Sequence, residues 1–100
     1  MGANMTIFLF GASKMAEDYI AVLNELKINC QVICRSQESA MKFFKNTQIM
    51  PLTGGLAALK DQKIDENDIA INAVGIADLV LVTKSLVEHG FKKILVEKPA

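Results

Sequence analysis

The sequence predicts an α/β fold: a doubly wound, five-stranded parallel sheet with helices on both faces. Two observations predict it. Short apolar runs rich in β-branched and aromatic residues alternate along the chain with stretches whose apolar residues recur at helical spacing, the pattern of repeated βα units. The first of the short runs, TIFLF (Thr6–Phe10), has no polar alternation, which suits a strand buried on both faces as in a parallel sheet.

The elements follow in order. After the first strand the chain turns at Gly11. ASKMAEDYIAVLNELK then places Ala16, Tyr19, Ile20, Leu23 and Leu26 on one face and Glu17, Asp18, Asn24 and Glu25 between them, an amphipathic helix. Asn29 makes a turn into the second strand, CQVIC (Cys30–Cys34). RSQESAMKFFKN reads as a second helix capped by Ser36, with Ser39 three residues on and Ala40, Phe43 and Phe44 facing the core. TQIM (Thr47–Met50) reads as a short third strand closed by Pro51, and LAALKDQ, after Gly54-Gly55, as one or two helical turns. DIAINAV (Asp68–Val74) is the fourth strand, ended by Gly75. ADLVLVTKSLVEH is a long helix with Gly90 where a C-cap glycine belongs. KKILVE is the fifth strand. Right-handed crossovers between such strands give a parallel sheet covered on both sides.

Composition agrees with one layered unit spanning residues 1–100. Of 100 residues, 51% are apolar and 22% charged, with 11 basic and 11 acidic side chains giving a net charge of zero. No Lys/Arg-rich track points to nucleic acid. No run approaches a membrane span, and the N-terminus lacks the layout of a signal peptide. The expectation is a cytoplasmic chain. Met1–Asn4 precede a second methionine, Met5, and are set aside as an expression remnant. Cys30 and Cys34 fall four apart on one strand, too distant for a disulfide, and read as buried reduced thiols. With the lone His89 they do not make a zinc site, so no metal is expected. His89, late in its helix, reads as structural.

The chemistry is expected beyond the carboxyl ends of the strands, where open parallel sheets bind ligands. The first strand-to-helix turn reads Gly11-Ala12-Ser13-Lys14-Met15-Ala16. Compared with the dinucleotide pattern G-x-G-x-x-G/A, the first Gly and the final Ala fit, while Ser13 replaces the middle Gly. Ser13 is small and its hydroxyl can itself donate to a phosphate. The helix N-terminus favours an anion, and Lys14 adds a cation at the same edge. Gly11, Ala12, Ser13, Lys14 and Met15 are the candidate pyrophosphate contacts; a tight turn without a ligand is the competing reading. At the end of the second strand, Arg35 and Ser36 stand where NAD-binding folds place an acid. Arg presents a planar fork of donors that suits a phosphate, which favours NADP over NAD. A solvated helix-start Arg is the plainer alternative. Val74 and Gly75, and Glu97, Lys98 and Pro99, end the fourth and fifth strands at the same edge. A cleft lysine can act as a point charge or, with a tuned pKa, as an acid or base.

TIFLFGASKMA, VICRSQESA, AINAVG and HGFKKILVEKP, in this order and spacing, resemble the nucleotide-binding domain of the Gfo/Idh/MocA oxidoreductases, the relatives of glucose–fructose oxidoreductase and inositol dehydrogenase. The resemblance covers residues 5–100. It implies a Rossmann-like sheet in the order 3-2-1-4-5 and hydride transfer between a nicotinamide cofactor, NADP or NAD, and a sugar, polyol or related hydroxyl substrate. In that family the Lys of Glu-Lys-Pro lies near the nicotinamide, so Lys98, between Glu97 and Pro99, is the candidate catalytic residue. Where family members carry Thr-Pro and then Asn and His, this chain has Val74-Gly75 and then Ile76 and Leu79. The family's second domain, which holds substrate and forms homo-oligomers, is expected to be absent from these 100 residues, which alone are expected to be inactive. Two other readings stay open: a nucleotide-binding regulatory or accessory module without catalysis, and a purely structural interaction domain of the same fold.

Overall fold

The computed structural model describes residues 5–74 and 76–97. Four strands form one parallel sheet: β1 (Thr6–Phe10), β2 (Asn29–Ile33), β3 (Ile69–Asn72) and β4 (Lys93–Val96), in the order β2-β1-β3-β4. Three helices and a 3-10 turn connect them: α1 (Lys14–Glu25), α2 (Gln37–Thr47), the 3-10 helix Gly55–Asp61 and α3 (Ile76–Glu88). β1 lies at the centre, pairing Ile7 with both Cys30 and Ile69, and Phe10 with both Ile33 and Asn72.

The pleat divides the apolar run of β1 between two cores, because successive side chains point to opposite faces. Ile7 and Leu9 join Val32, Ile71 and Ala73 beneath Ile20 and Leu23 of α1 and Phe43 of α2. Phe8 and Phe10 join Ile33 and Ala70 beneath Leu59 of the 3-10 helix and Leu86 of α3. Phe8 meets Phe91 edge-on, their rings 5.4 Å apart and inclined by 71°, the favoured quadrupolar arrangement. Helices on both faces are therefore present. Burying side chains such as Leu9 and Phe43, each fully enclosed, contributes on the order of 1.5–3 kcal/mol apiece.

The strand count differs from the expectation. Thr47–Met50 does not form a third strand: α2 runs through Thr47, and Gln48 caps it in the left-handed conformation, φ 66°, donating its N–H to Phe44 O at 2.7 Å. Thr47 is occupied by the same helix end, its hydroxyl donating to Phe43 O at 2.8 Å and accepting from Ile49 N at 3.1 Å. Pro51 has no N–H for a ladder. Only Leu52 reaches the free edge of β2, as one parallel bridge to Ile33 that accepts from Cys34 N at 2.9 Å and donates to Val32 O at 2.9 Å. The five-stranded order 3-2-1-4-5 is thus corrected to four strands, with a single-residue bridge on the β2 side.

Two buried polar side chains lock opposite ends of the sheet. Asp68, at the amino end, accepts from Thr6 N and Asp65 N, each at 2.9 Å. Asn72, at the carboxyl end, has no exposed surface. Its Nδ2 donates to Leu79 O at 3.2 Å and Thr83 Oγ1 at 2.9 Å, and its Oδ1 accepts from Val74 N at 3.4 Å. Asn72 therefore fixes where α3 starts relative to β3. No helix among the described residues is long and apolar enough to cross a membrane.

Candidate functional site

A cleft of about 600 Å³ opens at the carboxyl ends of β1, β2 and β3, within the size range of cofactor sites. Its floor is the turn after β1. Gly11 holds φ at 113°, and a Cβ there would stand 2.6 Å from Ala73 O. The turn is pinned on both sides: Gly11 N donates to Ile33 O at 2.8 Å, and Ala73 N donates to Phe10 O at 2.9 Å. Glycine is thus required by the packing of β1 against the end of β3, independently of any ligand.

Ser13 is the N-cap of α1, with φ −89° and ψ 176°, and its Oγ accepts from Ala16 N at 3.3 Å. The cap uses the oxygen as acceptor and leaves the hydroxyl proton available. The helix supplies no carbonyl to the N–H groups of Lys14 and Met15, the ordinary state of a first helical turn. These residues enter the site through their backbone. The Lys14 amine lies outside the cleft lining, 3.0 Å from Asp18 one turn on, and that hydrogen bond raises its pKa.

The opposite wall comes from the end of β2. Gly55 N donates to Cys34 O at 2.9 Å and Gly54 N to Arg35 O at 3.3 Å, which brings the start of the 3-10 helix alongside residues 34–35. Arg35 stands in the lining, and its Nη1 lies 3.3 Å from Asp78 Oδ2, in the first turn of α3. Ser36 is spent on α2: it accepts from Ser39 N at 3.1 Å, and the two hydroxyls lie 3.1 Å apart. Ser39, rather than Ser36, lines the cleft. Cys34 also lines it, donating Sγ–H to Ser36 O at 3.4 Å; burial pushes its pKa up, so it stays a thiol rather than a nucleophilic thiolate. Cys30 is pushed up to about 11 by burial. Both cysteines are free.

Val74 borders the third side. Glu97 lies apart from the lining: its N donates to Asn72 O at 3.0 Å, and its carboxylate accepts from the Tyr19 hydroxyl at 2.8 Å, tying the end of β4 to α1. Burial and this contact both raise the Tyr19 pKa. Gly75, Lys98 and Pro99 lie outside the described residues. His89, just past the end of α3, has its Nδ1 2.8 Å from Ser85 O and lies outside the cleft lining.

Of the sequence candidates, Gly11, Ala12, Ser13, Arg35 and Val74 therefore meet in one cleft; Met15, like Ser36, lies outside its lining. The cleft also takes in Ser39, the Gly54-Gly55 turn, Asp78 and the apolar lip of Leu81 and Val82, none of them among those candidates. The signal for Asp78 was its place in the first turn of a helix that starts at the same sheet edge as Gly11. Ser39 stands three residues from the cap it bonds. Compared with known protein families and with curated proteins, the sequence matches none.

The donors can meet an anionic ligand. The orphan amides of α1 and the Ser13 hydroxyl suit a diphosphate. Arg35 suits a ribose phosphate, Asp78 can accept from ribose hydroxyls, and the apolar lip can cover a ring.

Proposed function

We propose that this cleft binds a nicotinamide dinucleotide, NADP in preference to NAD, and that the chain is the cofactor unit of an oxidoreductase of the Gfo/Idh/MocA kind. The observation that carries this reading is the convergence of the Gly11 turn, the capped N-terminus of α1 and Arg35 on one cleft at the switch point of a parallel sheet. Gly11, Ala12 and Ser13, with the amides of Lys14 and Met15, hold the diphosphate. Arg35, with Ser39 beside it, receives the adenosine ribose and its 2′-phosphate. Val74 borders the nicotinamide side, and Glu97, held by the Tyr19 hydroxyl, closes the end of β4 beside it. The bound cofactor would exchange a hydride with the substrate's hydroxyl-bearing carbon, taking it up when the hydroxyl is oxidised and returning it when the carbonyl is reduced. Lys98 is the proposed catalytic partner, acting on a sugar-like hydroxyl substrate presented by a second unit.

A nucleotide-binding module without catalysis is the second reading. It is favoured by Lys14 being turned to Asp18 and by Val74 standing where the resemblance asks for a Thr-Pro.

Titration with NADPH and NADH, followed by thermal unfolding, tests the binding. At about a hundredfold excess over Kd, a ligand adds roughly 2.7 kcal/mol, which for a chain of this size raises Tm by about 10–20 °C. NADPH is expected to reach this shift at lower concentration than NADH. No shift with either at millimolar concentration contradicts the proposal.

A further inference from the structure

The Arg35–Asp78 pair has an uncommon placement. Arg35 follows β2 and Asp78 follows β3, and β1 lies between those strands. Neighbouring strands are about 4.8 Å apart, so the pair spans two such gaps and crosses the carboxyl end of β1, above the Gly11 turn. Both residues line the cleft. The arginine stem passes close to Gly55. A Cβ on Gly55 would stand 3.3 Å from Arg35 Cγ, so the bare glycine lets the stem lie against the 3-10 helix. The head then reaches Asp78 at 3.3 Å. The far side is held, since Asn72 Nδ2 grips Leu79 O, next to Asp78.

We propose that Arg35 and Asp78 form an ionic strap across the cleft, and that Asp78 is a specificity-determining residue that competes with a ligand phosphate for Arg35. This rests on the dinucleotide reading above. A phosphate arriving at Arg35 must displace or share the carboxylate, and the carboxylate repels it. Asp78 therefore sets how strongly the site favours a ligand carrying a 2′-phosphate over one without it. Because the pair is largely exposed, with the arginine side chain 79% and the aspartate 39% accessible, it opens at small cost, and its effect is a graded bias rather than a block.

The test is a double-mutant cycle using adenosine 2′,5′-bisphosphate and 5′-AMP as probes, with binding measured calorimetrically at low salt. Asp78→Asn is expected to tighten the bisphosphate about fivefold and 5′-AMP less than twofold. In an Arg35→Ala background, where only the direct repulsion remains, Asp78→Asn is expected to tighten either probe less than twofold. Binding of both probes to the unsubstituted protein with no response to Asp78→Asn overturns the strap and leaves the dinucleotide reading standing. An equal gain with and without Arg35 overturns it as well, since Asp78 then acts on the ligand alone. Failure of both probes to bind any variant overturns both proposals.

Discussion

Gly11→Ala is expected to unfold this domain or bring it close to unfolding. The added Cβ would stand 2.6 Å from Ala73 O and 2.9 Å from Ala73 C, and both atoms belong to backbone that cannot swing aside. Ala73 is itself fixed by its N–H bond to Phe10 O, and Gly11 by its bond to Ile33 O. Relief therefore requires moving β1 away from β3 at the centre of the sheet. The φ of 113° adds backbone strain of about 1–3 kcal/mol for any residue with a Cβ, and the overpacking adds roughly 1–3 kcal/mol more. A combined loss of about 2–6 kcal/mol is a large part of the roughly 5–15 kcal/mol typical of a small domain. Urea unfolding followed by circular dichroism reads it. A variant within about 1 kcal/mol of the parent would show that the turn has slack the packing does not suggest.

Asn72→Ala is expected to cost about 3 kcal/mol and to loosen the α3 wall of the cleft. Truncation removes both donors to Leu79 O and Thr83 Oγ1 and the acceptor for Val74 N, in a site with no exposed surface. Leu79 O keeps one partner, because Thr83 Oγ1 still donates to it at 2.7 Å. Val74 N loses the acceptor Asn72 gave it, and a buried group left unpaired costs about 1–3 kcal/mol, with a cavity term beside it. Thr83→Val separates the contributions. It leaves Asn72 bonded to Leu79 O and is expected to cost about 1 kcal/mol. Equal losses for the two variants, read from urea midpoints, would show that Asn72 is no anchor.

Most of the architecture was legible because it depends on local pattern. Unbroken apolar runs marked the central strands, helical spacing marked α1 and α3, and Ser36 was readable as a cap. Thr47–Met50 misled because a β-branched threonine and isoleucine two residues apart suit a strand, yet the same residues also finish a helix. Thr47 bonds back to Phe43 O and Gln48 takes the left-handed turn, and nothing in the local sequence decides between the two. The candidate site divides the same way. Gly11 and Ser13 could be found from a turn pattern. Asp78 could not be paired with Arg35, because the contact joins residues on opposite sides of β1 and depends on strand order. The competing roles of Ser36 and Ser39 likewise turn on which hydroxyl the helix cap consumes.

The proposed role of the cleft above Gly11 is to bind a dinucleotide through the N-terminus of α1. Amide chemical shifts recorded by NMR during NADPH titration test it most directly. Saturable shifts are expected at Gly11–Ala16, at Cys34 and Arg35, at Gly54 and Gly55 and at Val74. Thr6, Asp65 and Asp68, at the far edge of the sheet, stay in place. Shifts confined to that far edge or to the outer surface of α3 at Val80 and Val87, or no shifts at millimolar NADPH, would contradict it.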